Sequence, residues 1–305
     1  MNHFIGFCIR RPFTVFFILA ALTLLLAPGL LRLEIDNSVE TLMPKNDPKY
    51  IYYNHIKDIY GDNGQFIVTA VSADDLFSHA ALEAFDRLIT DIEAFQDFHP
   101  DKEKERLVRF LELVDREAIR ANELFDQFAD DPAFQRTLKR KVNDLFGQEE
   151  ALSQKQLRRL KKELRKVYEI KRQELVDEIM SPLTAQDIRG EQDVLEVYDL
   201  IDTDREGKRI IPETPAEISE FKQRLLRNPA FEEVLYAKAP SSGEITDYGV
   251  LIKFKSRDNH RDAATRELMS IFESHSDLEL TYTGMPAIHV WSFNFIRKDF
   301  TTLVP

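Results

Sequence analysis

The sequence predicts an α+β fold: an N-terminal transmembrane helix, then an external two-layer domain of the split βαβ kind, interrupted by a long helical, coiled-coil-like insertion. Three observations predict it. Twenty consecutive residues between Arg11 and Arg32 carry no charge, matching the ~20 apolar residues that a bilayer-spanning helix needs. Runs of β-branched and aromatic residues alternate with amphipathic helical patterns in residues 34–98 and again in 181–284. Between them, residues 99–180 are dense in charge, hold one glycine, Gly147, and show no strand pattern.

The span is assigned to residues 12–33. A cleaved signal has a shorter apolar centre and ends at a small-x-small site, whereas this run leaves through Ala27-Pro28-Gly29-Leu30-Leu31-Arg32, so it reads as retained. Arg10 and Arg11 precede it, and the exit carries Arg32 followed by Glu34 and Asp36. The positive-inside rule then keeps residues 1–11 in the cytoplasm and sends everything after Leu33 outside. That predicts residence in the inner (cytoplasmic) membrane with the bulk of the chain periplasmic. Gly29, Thr14 and Thr23 are small or hydroxylated, the side chains that let one membrane helix approach another.

Beyond the span, a short helical pattern runs through Tyr52, Ile56 and Ile59. Asp62-Asn63-Gly64 turns the chain into a strand, Phe66 to Val71, ended by Ser72-Ala73-Asp74-Asp75. Leu82, Phe85, Leu88, Ile89, Ile92 and Phe95 recur at helical spacing over 78–96. In the insertion, Leu107, Leu111, Val114, Ala118, Ala121, Phe125 and Phe128 alternate steps of four and three, a heptad seam. Asp130-Asp131-Pro132 starts a shorter helix through Phe134, Leu138, Val142 and Leu145, which Gly147 stops. Ser153 caps a third helix carrying Leu157, Leu160, Leu164, Val167 and Leu175.

The strand pattern returns at Val194 to Ile201. Thr214-Pro215-Ala216-Glu217 is a capping box with proline at the first helical position, which starts a helix through Phe221 and Leu225. Strands are predicted at Glu233 to Ala237 and Tyr248 to Phe254, a helix over 260–274, and a strand at Leu278 to Tyr282. Residues 285–305 read as an amphipathic helix with Ile288, Trp291, Phe295 and Ile296 on one side.

A content of 43% hydrophobic and 31% charged residues is that of a folded chain, and a formal net charge of −12 argues against nucleic acid as a general partner. Cys8 is the sole cysteine. It excludes an intrachain disulfide, and as a juxtamembrane thiol it reads as unmodified rather than palmitoylated.

Arg10-Arg11-Pro12-Phe13 opening a span, then Ile35-Asp36-Asn37-Ser38, Leu42-Met43-Pro44, Asp47-Pro48 and Tyr60-Gly61 before a strand, form one ordered series. It continues with Pro215-Ala216-Glu217 leading to Leu225-Leu226-Arg227-Asn228-Pro229, the strand pair around Asp247, and Thr283-Gly284-Met285-Pro286. Ile296-Arg297-Lys298-Asp299-Phe300 with Leu303-Val304-Pro305 closes it. No single stretch is specific, but their order and spacing resemble the N-terminal portion of a resistance-nodulation-division (RND) exporter of the MMPL-like hydrophobe and lipid branch. The resemblance implies a first transmembrane helix, a first external porter-type domain, and a path toward a second span after 285–305. It further implies a hydrophobic or lipid substrate and, as partners, the bilayer and further transmembrane helices of the same transporter or of a companion subunit. The acidic residues that couple such transporters to protons lie in later spans that this sequence does not contain. The 99–180 insertion departs from the family pattern.

Asp202, Asp204, Glu206, Gly207 and Glu213 fit a calcium-loop template, which surrounds the ion with hard oxygens about a glycine bend. Arg209 stands where the template has an aliphatic residue and Pro212 interrupts the exit, so a solvated acidic turn is the favoured reading. The helix from Lys155 to Arg172 holds nine basic residues against Glu163 and Glu169. Such a rod meets anionic headgroups or an acidic partner, or it pairs with the acid-rich stretch 101–131. Pairing is the reading adopted, since charged flanks of a coiled-coil seam do this routinely.

His3, His55, His79, His99, His260, His275 and His289 show no metal-ligand spacing. No nucleophile elbow, phosphate loop or Cys-His pair appears, so neither catalysis nor a cofactor is expected. His289 and Trp291 read as a mark of the membrane interface. A function of a different class remains beside transport: a single-span anchored scaffold whose helical insertion binds an envelope partner.

Overall fold

The computed structural model of the protein describes residues 12–30, 44, 46–52, 55, 63–114, 118–191, 194–255 and 261–303. The expectations on Cys8, Arg10, Arg11, residues 31–43, Ile56, Ile59 and Tyr60-Gly61 lie outside those residues. The chain divides into two compact units, Met1–Tyr53 and Asn54–Pro305.

In the first unit, α1 (Pro12–Leu30) is a helix of 19 residues without an acidic or basic side chain. At ~1.5 Å per residue it is about 28 Å long. It is apolar around its circumference: Phe13, Phe16, Phe17, Leu19, Leu22 and Leu25 are 55% to 79% exposed. Thr23 satisfies its hydroxyl within the helix by donating to the Leu19 carbonyl at 2.9 Å. Among the described residues no helix is long and apolar enough to cross a membrane, and eight of the 19 positions of α1 have side chains outside that description.

The second unit is mixed helix and sheet. Its frame is β1 (Phe66–Ser72), α2 (His79–Gln96), β4 (Val176–Met180), α7 (Pro215–Arg227), β7 (Tyr236–Lys238), β8 (Ile245–Phe254), α8 (Arg261–Ser274), β9 (Glu279–Thr283) and α9 (Met285–Leu303). The sheet order is β4-β8-β1-β9, and β7 shares the β4 side of β8. Every pairing is antiparallel. β1 and β4 therefore run parallel with β8 between them, while β8 and β9 run parallel around β1, which is the split βαβ arrangement.

One face of the sheet holds the core. Ile67 opposes Ile252, Thr69 opposes Val250 and Val71 opposes Tyr248, and all six are essentially inaccessible. Phe85, Leu88 and Ile92 of α2, Leu268 and Phe272 of α8, and Phe221 and Leu225 of α7 cover them in one cluster. Tyr248 anchors the middle: its ring stacks on Phe85 at 5.2 Å, and its hydroxyl donates to the Leu76 carbonyl at 3.1 Å.

The insertion interrupts the α2-to-β4 connection with α3 (Pro100–Val114), β2 (Ala118–Arg120), α4 (Ala121–Asp126), α5 (Pro132–Phe146), β3 (Ala151–Ser153) and α6 (Gln154–Lys171). The heptad seam predicted over 107–128 is not one rod. Ile119 pairs with Leu152 across the β2–β3 ribbon. Both drop into a separate core with Phe110, Leu124, Phe128, Leu138, Leu157 and Leu160. Burying those two apolar side chains in the ribbon outweighs continuing the helix.

Three further elements differ from expectation. β4, inside the stretch read as helical, joins the main sheet at its edge. The strand predicted at 194–201 is β6 (Val194–Asp199), which pairs only with β5 (Gln186–Glu191) in a separate hairpin. Among the described positions of α9 the buried ones are Pro286, Ala287 and Val290, while Ile288 and Phe295 of the predicted apolar side are 42% and 68% exposed. Ala287 has the small side chain that lets α9 lie close to its neighbours, and of the predicted apolar side Trp291 packs, stacked on Tyr282.

Candidate functional site

Alternation along the strands sends every second side chain away from the helices. On that open face Val68 of β1 stands opposite Leu251 on β8 and Thr283 on β9, and Leu251 stands opposite Met180 on β4. Met180, Leu251, Val68 and Thr283 thus form one row across four strands. Phe66 and Ala70 flank Val68 along β1. Val68 is 44% exposed, and it, Phe66, Ala70 and Leu251 belong to neither packed core.

Polar groups frame the row. Lys253 pairs with Asp177 at 3.2 Å at one end. At the other, the Ser72 hydroxyl donates to Asp247, and Thr281 and Glu279 line the β9 edge. Apolar area with a few polar groups at its rim is the composition of a site for a hydrophobic ligand. Two glycines hold the strands in place: a Cβ on Gly284, at φ 129°, would stand 2.1 Å from the Phe66 carbonyl oxygen, and one on Gly249 would stand 2.1 Å from that of Val234.

Beneath the core helices, buried charges tie the insertion to the α+β frame. Asp91 of α2 accepts from Arg136 Nε of α5 at 2.7 Å and lies 3.2 Å from His275 Nε2. Lys141 of α5 donates to Glu267 of α8 at 2.8 Å. Within the insertion itself, Lys171 of α6 donates to Glu103 of α3, which also accepts from Arg106 at 2.6 Å. A cavity of about 30 Å³ among Asp91, Glu103, Arg106, Arg140 and Lys171 has room for one or two water molecules. Burial alone would raise the Asp91 carboxyl, but hydrogen bonds from His275 and Arg136 outweigh it and hold it below the usual carboxylate range. Burial lowers the Lys171 ammonium despite the opposing pull of Glu103.

The calcium-template residues are held in other roles. Asp202 accepts from Arg224 at 3.0 Å. Asp204 caps its own turn, accepting from the backbone of Glu206 at 2.8 Å and of Lys208 at 2.9 Å. Glu206 pairs with Lys208 at 3.1 Å, and the backbone N–H of Glu213 donates to Glu217 at 3.0 Å. Among the described residues no group of three or more His, Cys, Asp or Glu side chains is placed to hold a metal ion. Arg209, which broke the template, docks this turn on α2: it donates to Asp86 at 2.5 Å and to Glu93 at 2.8 and 2.9 Å.

The pairing expected for the basic helix is made in part: α6 packs beside α3, and among the described residues Lys171 reaches the acid-rich stretch through Glu103, while Lys166 and Arg172 pair with the nearby Glu163 and Glu169. Within 101–131 itself, Asp131 pairs with Arg106 and Asp130 with Arg109. His289 and Trp291 pack inward: His289 Nδ1 lies 3.1 Å from Arg261, and the indole stacks on Tyr282 at 5.5 Å. The open face escaped sequence reasoning because it depends on register across four strands, although the alternation in β1 and β8 carried half of the signal. No family model, curated protein or solved structure matches this chain.

Proposed function

We propose that the protein is the membrane-anchored N-terminal part of an RND-like transporter that exports or traffics hydrophobic or lipidic substrates. The second unit acts as its substrate-handling porter domain. The observation that carries the proposal is the apolar group Phe66, Val68, Ala70 and Leu251, which lies outside both packed cores on the sheet face opposite the one that holds the core. An apolar surface open to solvent is costly, at roughly 25 cal/mol per Å², and an acyl-bearing substrate removes that cost. The uncharged helix α1 supplies the anchor in the cytoplasmic membrane, with the N-terminus inside and the second unit outside. Further transmembrane helices supply the drive.

A photoactivatable acyl probe, incubated with the full chain in detergent and mapped by mass spectrometry, tests the assignment. Labelling is expected on Phe66, Val68 and Leu251. Val68→Asp is expected to cut it about tenfold or more, the equivalent of losing one apolar contact. Labelling confined to other surfaces would contradict the proposal.

The insertion has its own core, which favours a second reading as a partner-binding scaffold. Buried pairs such as Asp91–Arg136 and Lys141–Glu267 count against it. Deleting the insertion leaves Asp91 and Glu267 without their α5 partners, so loss of folding marks the insertion as structural. Retained folding with loss of partner capture marks it as a scaffold.

A further inference from the structure

The exposed stripe of α6 has few protein partners: Arg159 lies over the Phe146 ring at 5.8 Å, and Lys166 pairs with Glu163. Lys155, Arg158, Arg159, Lys162, Arg165 and Lys166 recur at steps of three and four, which puts them on one side of the helix. All six are exposed. Among the described residues no acidic side chain pairs with the first five, and Lys166 reaches only its own helix, at Glu163. The opposite side, Leu157, Leu160 and Leu164, is sealed in the core of the insertion. The stripe therefore has a fixed direction. It sits in a chain whose formal net charge is −12, so general basicity does not explain it.

A second feature lies at its C-terminal end. A shallow, open groove is lined by Lys162, Arg165, Lys166 and Glu169 together with Ile170 and Ala263 of α8. Cationic heads thus stand at the rim, while Ile170, Ala263 and the aliphatic stems of the basic residues supply apolar surface below. An acidic polypeptide would use the charges and leave that floor empty. An anionic phospholipid uses both, its phosphate at the rim and its glycerol and upper acyl carbons in the groove.

We infer that the α6 stripe docks the second unit on an anionic bilayer surface, with the Lys162-Arg165-Lys166 groove seating one phospholipid headgroup. The inference rests on the proposed membrane reading for bringing the domain to a bilayer, and it adds a lipid contact separate from the open sheet face. Each basic side chain near an anionic surface contributes about fivefold in surface partition, so three removed together cost about a hundredfold.

The test uses the full chain carrying Cys8→Ser and Gln173→Cys, labelled with a fluorophore at the end of α6 and reconstituted in vesicles of phosphatidylcholine with or without phosphatidylglycerol. Quenching by a headgroup-labelled lipid is expected only in the anionic vesicles, and it falls as salt rises. It is expected to vanish in the K162Q/R165Q/K166Q variant, whose circular dichroism and melting should match the parent because the three side chains are exposed. Equal quenching in both vesicle types overturns the inference, as does persistence in the triple variant or capture of soluble polyglutamate without headgroup contact. Flotation with the neutral vesicles is scored alongside. Failure to float refutes the α1 anchor, whereas flotation with no quenching in the anionic vesicles refutes the α6 contact alone.

Discussion

Single residues decide how the two halves of the domain hold together. Asp91 is anchored by Arg136 and His275, and its carboxyl titrates below the ordinary carboxylate range. A depressed native pKa contributes stability that is complete above the unfolded value and is lost as pH falls through the folded one. Acid melting should therefore detach the insertion below the usual carboxylate range, and Asp91→Asn should remove that step. The same variant leaves Arg136 and His275 facing a neutral amide, at a cost of about 3 kcal/mol measured by urea denaturation at neutral pH. Gly284 offers a second test of this kind. Alanine there combines a strained φ of 129° with a 2.1 Å approach to the Phe66 oxygen, so Gly284→Ala should cost about 2–4 kcal/mol and loosen β9.

At the scale of elements, legibility followed how local the determining signal is. The α7 start was readable because Thr214, Pro215 and Glu217 form the capping box with their own backbone. Replacing Thr214 by Ala should lower the melting temperature in line with about 1 kcal/mol. Gly147, at φ 72°, ends α5 for the same kind of local reason. β4 was unreadable because it is an edge strand: Asp177 and Glu178 face solvent, and only Val176 carries the buried-strand signal. Charges of that kind shield an edge from unwanted pairing, which also hides it from a hydrophobicity pattern. The β2–β3 ribbon was missed because three residues on each side are too few to show a period. The split of one predicted seam into α3, β2 and α4 follows from a partner strand more than thirty residues away. Arg209 belongs here too. As it clamps the 202–210 turn to Asp86 and Glu93 of α2, Arg209→Ala should raise amide exchange across that turn while leaving the β1–β8 pairing protected.

For the whole molecule, the two faces of one sheet divide the labour. The covered face, with α2, α7 and α8, makes the fold; the open face, with Phe66, Val68 and Leu251 outside both cores, is the one proposed to meet an apolar ligand. Val68 is 44% exposed, so Val68→Asp should cost no more than about 1 kcal/mol of stability even as it cuts acyl labelling about tenfold or more. That separation of stability from binding is what a purely structural role for the row would not produce. The insertion adds its own core, a charged joint to α2 and α8, and a basic stripe directed outward. The β8-α8-β9 half of the split βαβ order could be anticipated from the alternation of strands and helices, whereas its β1-α2-β4 half could not, because β4 takes the place read for the 194–201 strand. The open face and the stripe could not, because both depend on which surfaces remain after packing.

The central claim is that α1 crosses a membrane and places the second unit outside. Cys8, the sole cysteine, lies on the N-terminal side of that helix, and Ser242→Cys in the exposed turn before β8 adds a thiol on the other side. Thiol labelling of intact spheroplasts with an impermeant maleimide measures both at once. Labelling at position 242 with Cys8 protected until the membrane is opened is the predicted result. Labelling of both thiols, or of neither, before the membrane is opened would contradict it.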